Sequence, residues 1–249
     1  MKFQTKGIVV RETPKGETSK LLTVITSTHG VITVNAKGVR RLSSPFLKAS
    51  QLFAFSELLL HENNGFYTLS EAVLITDFYP LRKDIKKYAL ACYLCELASD
   101  FSVPGEDSGI ILRLLLNSLY AVENSLASEE LIKAAFEIRL CAECGFPPDA
   151  TCCAECGNDL SKSDAVFDIA EGVIFCTDCS SHSSERVLLT PSVIKAINHI
   201  VEKDMSKFIA FRISDRDMGL LCSCAENYIL ARAERGFKTL SFYKHCEEI

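Results

Sequence analysis

The chain has 249 residues, 48% hydrophobic and 24% charged, with 12 cysteines. That composition excludes a mainly disordered chain, and the cysteines are too sparse at this length for a disulfide scaffold. The net charge of −5 argues against a protein coated in positive charge, but residues 1–80 carry nine basic and six acidic groups while residues 81–249 carry eighteen and twenty-six.

The first segment, MKFQTKGIVVRETPKGE, has no long apolar core and no small-residue cleavage site, so no secretory signal is expected. No apolar run reaches the ~20 residues that cross a bilayer. A soluble, cytoplasmic protein without a membrane partner is expected. In that reducing setting, paired cysteines point to metal binding or burial.

Five short strands are expected in residues 1–80: Gly7–Glu12, Lys20–Ser27, Val31–Lys37, Leu52–His61 and Phe66–Phe78. They are rich in Val, Ile, Thr, Phe and Leu, several with period-two alternation. His29-Gly30 and Asn63-Asn64-Gly65 supply tight turns. Five strands in so short a stretch suggest a small closed barrel of the OB type, with a small sandwich as the alternative. The longer connection from Gly38 to Ser50 has room for one helical turn.

At Tyr79-Pro80 the pattern changes to helical spacing. Leu81, Ile85, Tyr88, Cys92 and Cys95 form one stripe. A second helix starts at Asp107 or Ser108 and carries Ile111, Leu112, Leu115 and Leu119. A third follows Ser128, with Glu129 and Glu130 in the first turn, where the helix dipole favours anions. It carries Leu131, Ala135, Ile138 and Cys141, and Gly145 fits its end. Residues 146–184 break the periodicity with Pro147-Pro148, five cysteines and a serine-rich exit (Ser180, Ser181, Ser183, Ser184). Thr190-Pro191 then starts a helix, and a last helix runs from about Asp215 to Glu234. The expected organisation is α+β and multidomain: an OB-fold barrel (1–80), a helical bundle (81–146 and 185–249) and an inserted four-cysteine, zinc-ribbon-like module (147–184).

Cys153, Cys156, Cys176 and Cys179 read C-x2-C, nineteen residues, C-x2-C, the spacing of a zinc ribbon. Four thiolates close the coordination sphere, so one structural Zn2+ is expected. The module has too few apolar residues to fold alone, and metal binding would supply its stability. Cys152 gives C-x3-C with Cys156; it is expected to be a bystander, with a swap for Cys153 as the alternative. Cys92/Cys95 and Cys141/Cys144 also form C-x2-C pairs, but they lie on helices, where cysteine packs as a small hydrophobe.

The candidate nucleic-acid contacts are Lys6, Arg11, Lys15, Lys20, Lys37, Arg40, Arg41 and Lys48, densest in Lys37-Gly38-Val39-Arg40-Arg41. Barrels of this type set cations against phosphates and aromatics under bases. Phe46, Phe53, Phe55 and Phe66 are the candidate stacking rings, although core packing competes for them. No phosphate-binding glycine loop, HExxH or GxSxG is present, so catalysis is not expected.

These segments resemble the RecO family of bacterial recombination mediators over essentially the whole chain. The resemblance is carried by KGIVVRETPKGETSKLLTVITSTHGVITVNAKGVRR, by FEIRLCAECGFPPDATCCAECG and by AERGFKTLSFYK. It implies a non-enzymatic, nucleoid-associated role in DNA repair by homologous recombination. Such proteins bind single- and double-stranded DNA and anneal complementary strands. They pair with RecR, recognise the C-terminal tail of single-strand-binding protein, and help RecA load. The competing readings are a protein-only adaptor, and a thiol-redox protein using one of the helical cysteine pairs.

Overall fold

Alternating branched and polar residues build five strands in the first third of the chain: β1 (Lys2–Lys15), β2 (Ser19–Thr26), β3 (Val31–Ala36), β4 (Phe55–Asn63) and β5 (Phe66–Thr76). The structure is a computed structural model and describes residues 1–180 and 186–247. The strands close into a barrel in the order β1-β2-β3-β5-β4, with β4 pairing back to β1. All pairs are antiparallel except β3 with β5, which run parallel through Val34–Tyr67 and Asn35–Thr68. This is the OB-type barrel expected from the sequence. β1 extends beyond Gly7–Glu12 at both ends. A bulge between Val9 and Arg11 bends it, which lets one strand serve both β2 and β4. Val9, Leu22, Val24, Ile32, Val34, Leu58 and Leu60 fill the interior. Asn64 and Gly65 take φ of 49° and 77°, the left-handed pair that a two-residue hairpin turn needs.

By compactness the chain forms two units, one of residues 1–123 with 239–249 and one of 124–238. In the first, a 3-10 turn (Tyr79–Lys83) leads into α1 (Ile85–Asp100), followed by α2 (Gly109–Glu123). Asp84 caps α1 by accepting from the amides of Lys86 and Lys87. α1 is buried on most sides, because α2 and β1 both pack on it. The single stripe read from the sequence therefore does not describe it, and Ile85, placed on that stripe, is exposed. Gly30 marks where the loop after α1 meets the β2–β3 turn. A Cβ there would lie 1.9 Å from the Val103 carbonyl oxygen, and Gly105 N–H donates to the His29 carbonyl at 3.0 Å.

The second unit holds α3 (Glu129–Glu143), strands β6 (Ala165–Asp168), β7 (Val173–Cys176) and β8 (Arg186–Leu189), then α4 (Pro191–Glu202) and α5 (Asp215–Ala233). Ser128 caps α3 and Thr190 caps α4, as their sequence signals require. Thr190 also donates to Asp217 Oδ1 at 2.8 Å, which joins the starts of α4 and α5. Arg139 on α3 donates to the carbonyls of Ile200, Val201 and Lys203, capping the end of α4.

Two elements were not read from the sequence. β8 joins β6 to make a three-stranded sheet in the order β7-β6-β8. The helix α6 (Lys238–Glu247) follows α5, so the helix from Asp215 is not the last. Reading the helix that ends at about Glu234 as the last one hid α6, although Phe237, Leu240, Tyr243 and Cys246 recur at helical spacing and are all buried. Ser181, Ser183 and Ser184 of the serine-rich exit lie outside the described residues.

Candidate metal centre and nucleic-acid interface

The β6–β7 hairpin sets two cysteine pairs against each other. Cys176 ends β7, and Cys179 N–H turns back to the Cys176 carbonyl at 3.1 Å. The first pair is folded the same way. Gly157 N–H donates to the Cys153 carbonyl at 2.9 Å, and Ala154 N–H reaches the Ile174 carbonyl of β7 at 2.9 Å. The Sγ atoms of Cys153, Cys156, Cys176 and Cys179 all lie within 4.8 Å of one another, with Cys156 and Cys176 at 3.7 Å. Four sulfurs from four cysteines are placed to hold one metal ion, as the spacing predicted. Cys152 is not in the cluster; its backbone bridges to Asp159.

The electrostatics favour a charged ligand at one corner. Burial opposes ionisation of Cys153, but the backbone amides of Cys156, Cys176 and Glu155 outweigh it and hold its thiol down at about 6. Cys179 is pushed up, first by its hydrogen bond with Cys176 and then by that with Cys156. Four sulfurs this close are the donor set a divalent cation would take.

The hairpin is held from outside by α5. Arg232 donates to the carbonyls of Ile169 and Ala170. Tyr228 packs on Phe167 at 5.0 Å and donates to the Phe146 carbonyl at 3.1 Å. Gly172 turns the hairpin at φ 75°, and a Cβ there would come within 3.0 Å of the Tyr228 hydroxyl. Neither the clamp nor its residues were read from the sequence, because an Arg and a Tyr on a helix carry no spacing signal.

The thiols of the two other C-x2-C pairs lie on α1 and at the end of α3. Burial pushes Cys92 and Cys144 up to about 11 and raises Cys95 and Cys141 well above the ordinary thiol value. A thiol held protonated is a poor nucleophile, which weighs against redox chemistry at either pair.

Most of the basic candidates cluster at one end of the barrel. Lys15 faces Ser19 at the β1–β2 turn, and Lys37, Arg40 and Arg41 follow β3, whose Ala36 pairs with Lys20. Arg40 fixes this end: its Nη1 donates to the Gly16 carbonyl at 2.9 Å and its backbone N–H to the Thr18 carbonyl at 2.9 Å. Lys15, Lys37, Arg40, Arg41 and Lys48 are exposed, as is Arg11 on β1. Lys20 is already engaged by Glu12 at 2.6 Å and by the Ser50 carbonyl. Lys6 lies toward the other end of β1, opposite Glu57. Of the candidate stacking rings, Phe53 is fully buried, Phe46 packs on the barrel core and Phe55 is half-buried. Phe66 is the exposed one, beside the β4–β5 turn.

Two family models match the chain. "Recombination protein O N terminal" covers residues 1–78 and "Recombination protein O C terminal" covers residues 82–241. Proteins named DNA repair protein RecO are similar over nearly the full length. The one from Acetivibrio thermocellus is 28% identical, covering 99% of this chain and 98% of its own. The one from Caldicellulosiruptor saccharolyticus is 31% identical, covering 98% and 99%.

Proposed function

The chain belongs to the recombination protein O family of DNA repair proteins, and from that premise we propose that it is a DNA-binding recombination mediator rather than an enzyme. In this reading it captures single- and double-stranded DNA and anneals complementary strands. With RecR it helps RecA load onto DNA covered by single-strand-binding protein, whose C-terminal tail it recognises. The observation that carries the DNA-binding step is the exposed basic end of the barrel, where Lys15, Lys37, Arg40 and Arg41 converge around the Arg40–Gly16 tie. Cations on a tied loop meet phosphates without first having to be ordered.

The metal in this reading is Zn2+, held by Cys153, Cys156, Cys176 and Cys179. Zinc–sulfur bonds of about 2.3 Å in a tetrahedron place sulfurs roughly 3.8 Å apart, close to the 3.7 Å between Cys156 and Cys176. Four thiolates leave no open position, so the ion braces the module and does no chemistry.

The test is binding of a dT oligonucleotide to metal-replete protein across a salt series. Lys37→Glu and Arg41→Glu together should weaken binding about tenfold or more at low salt. They should also flatten the salt dependence by about 0.7 log units for each phosphate that is no longer neutralised. Unchanged affinity and slope would remove the barrel end from the DNA interface.

A further inference from the structure

A cleft of the barrel-bearing unit lies outside the basic residues singled out above. It has a volume of about 490 Å3 and is lined by Glu12, Leu52, Arg82, Lys83, Ile85 and Tyr88. Pockets of roughly 300–1,000 Å3 are the range of small-ligand sites. One wall comes from the segment Tyr79–Tyr88, YPLRKDIKKY, which holds one acid; of its four basic groups Arg82 and Lys83 line the cleft, while Lys87 donates to the Glu123 carbonyl at 3.3 Å. The acid, Asp84, is occupied in capping α1. The acid of the opposite wall, Glu12, is countered by Lys20 at 2.6 Å. The wall is therefore cationic on balance.

Arg82 is fixed there. It donates from Nη1 to Gln51 Oε1 at 3.2 Å and from Nη2 to the Leu52 carbonyl. Its Nε is buried without an acceptor among the described residues, and the residue lines the cleft beside Lys83. Beside it Tyr79 is 52% exposed, with Arg82 Cζ and Lys83 Nζ at 5.8 and 5.9 Å from the ring centroid. The backbone is strained on both flanks. Phe53, edge-on to Tyr88 at 5.8 Å, and Phe78, which opens the 3-10 turn, take φ of 66° and 43°. Left-handed aromatic residues persist only where the surroundings impose them, and they gather at ligand sites.

We propose that this cleft takes one phosphate-bearing nucleotide of a single DNA strand, with Arg82 and Lys83 at the phosphate and Tyr79 against a neighbouring base. The inference rests on the DNA-binding reading and adds a second contact zone to it. A lone carboxylate needs only a guanidinium fork. Cations in series beside an exposed ring are what a nucleotide strand uses.

The test measures binding of a short dT oligonucleotide to full-length, metal-replete protein, with melting curves to confirm that each variant is folded. Tyr79→Ala should weaken binding roughly 5- to 100-fold through loss of stacking. Lys83→Ala should lower the salt slope by about 0.7. If the wild type binds and Arg41→Glu weakens it, but Tyr79→Ala and Lys83→Ala change neither affinity nor slope, the cleft assignment falls and the barrel reading stands. If the wild type does not bind, both fall. If an acidic peptide protects Lys83 from acetylation and the oligonucleotide does not, the cleft is a protein-docking site and the proposal is overturned.

Discussion

Lys133 is a buried charged side chain whose loss should be costly. It is 5% exposed and bonds Glu137 and Glu226, each at 2.9 Å, and Glu137 is fully buried. Burial alone would lower the lysine's pKa, but the two carboxylates outweigh it and push it above its ordinary value. A raised lysine pKa fixes the sign of the pH dependence. The stabilisation is complete below the unfolded lysine value of about 10.4 and is lost as pH rises through the higher folded value. Removing the cation takes from the buried Glu137 its 2.9 Å ion pair, and breaking a buried pair typically costs about 3–5 kcal/mol. Lys133→Ala should therefore lower the unfolding free energy read from urea melts by that much at pH 7, and by less at strongly alkaline pH. A loss well under about 1 kcal/mol, or one independent of pH, would mean that water already reaches the triad.

Among the elements, those with strong local signals were legible in the sequence and those defined by their partners were not. Alternation gave the five strands, and Asn64-Gly65 gave the hairpin turn. Ser128 and Thr190 gave helix starts that the structure places within a residue. The cysteine spacing named all four residues of the metal cluster. β8 was missed because four residues, Arg186–Leu189, carry no usable period; their strand character comes from pairing with β6. α1 was misread because a helix packed on several sides shows no single apolar face. The basic wall at Arg82 and Lys83 was passed over because its residues look like an ordinary charged helix start until Gln51 and Leu52 fold onto them. The metal module gives the prediction at this scale. Its sheet joins four-residue strands, and the two cysteine pairs brace one end. Strong chelation or Cys176→Ser should open residues 150–180 to protease while the barrel stays resistant, with the cuts read by mass spectrometry. Cys152→Ser should keep one metal per chain. A metal-free module that resists cleavage as well as the loaded one would show that the α5 clamp through Arg232 suffices.

Over the whole molecule, charge is divided as the fold is. The barrel-bearing unit has 15 basic and 14 acidic groups, and the unit with the cysteine cluster has 12 and 18. Residues 146–180 alone hold seven acids and a single lysine, and a divalent ion held by four thiolates would add two more negative charges. A surface of that sign repels phosphates, so an overall charge of −5 is compatible with DNA binding when the strand meets the barrel and avoids the metal module. No helix among the described residues is long and apolar enough to cross a membrane. The most direct measurement of this division is amide hydrogen exchange on metal-replete protein with and without a saturating dT oligonucleotide. The account predicts protection in the β1–β2 turn around residues 15–19, in the 37–48 loop and in 79–88, with none in 146–180. Protection confined to 146–180, with the barrel end unchanged, would contradict it.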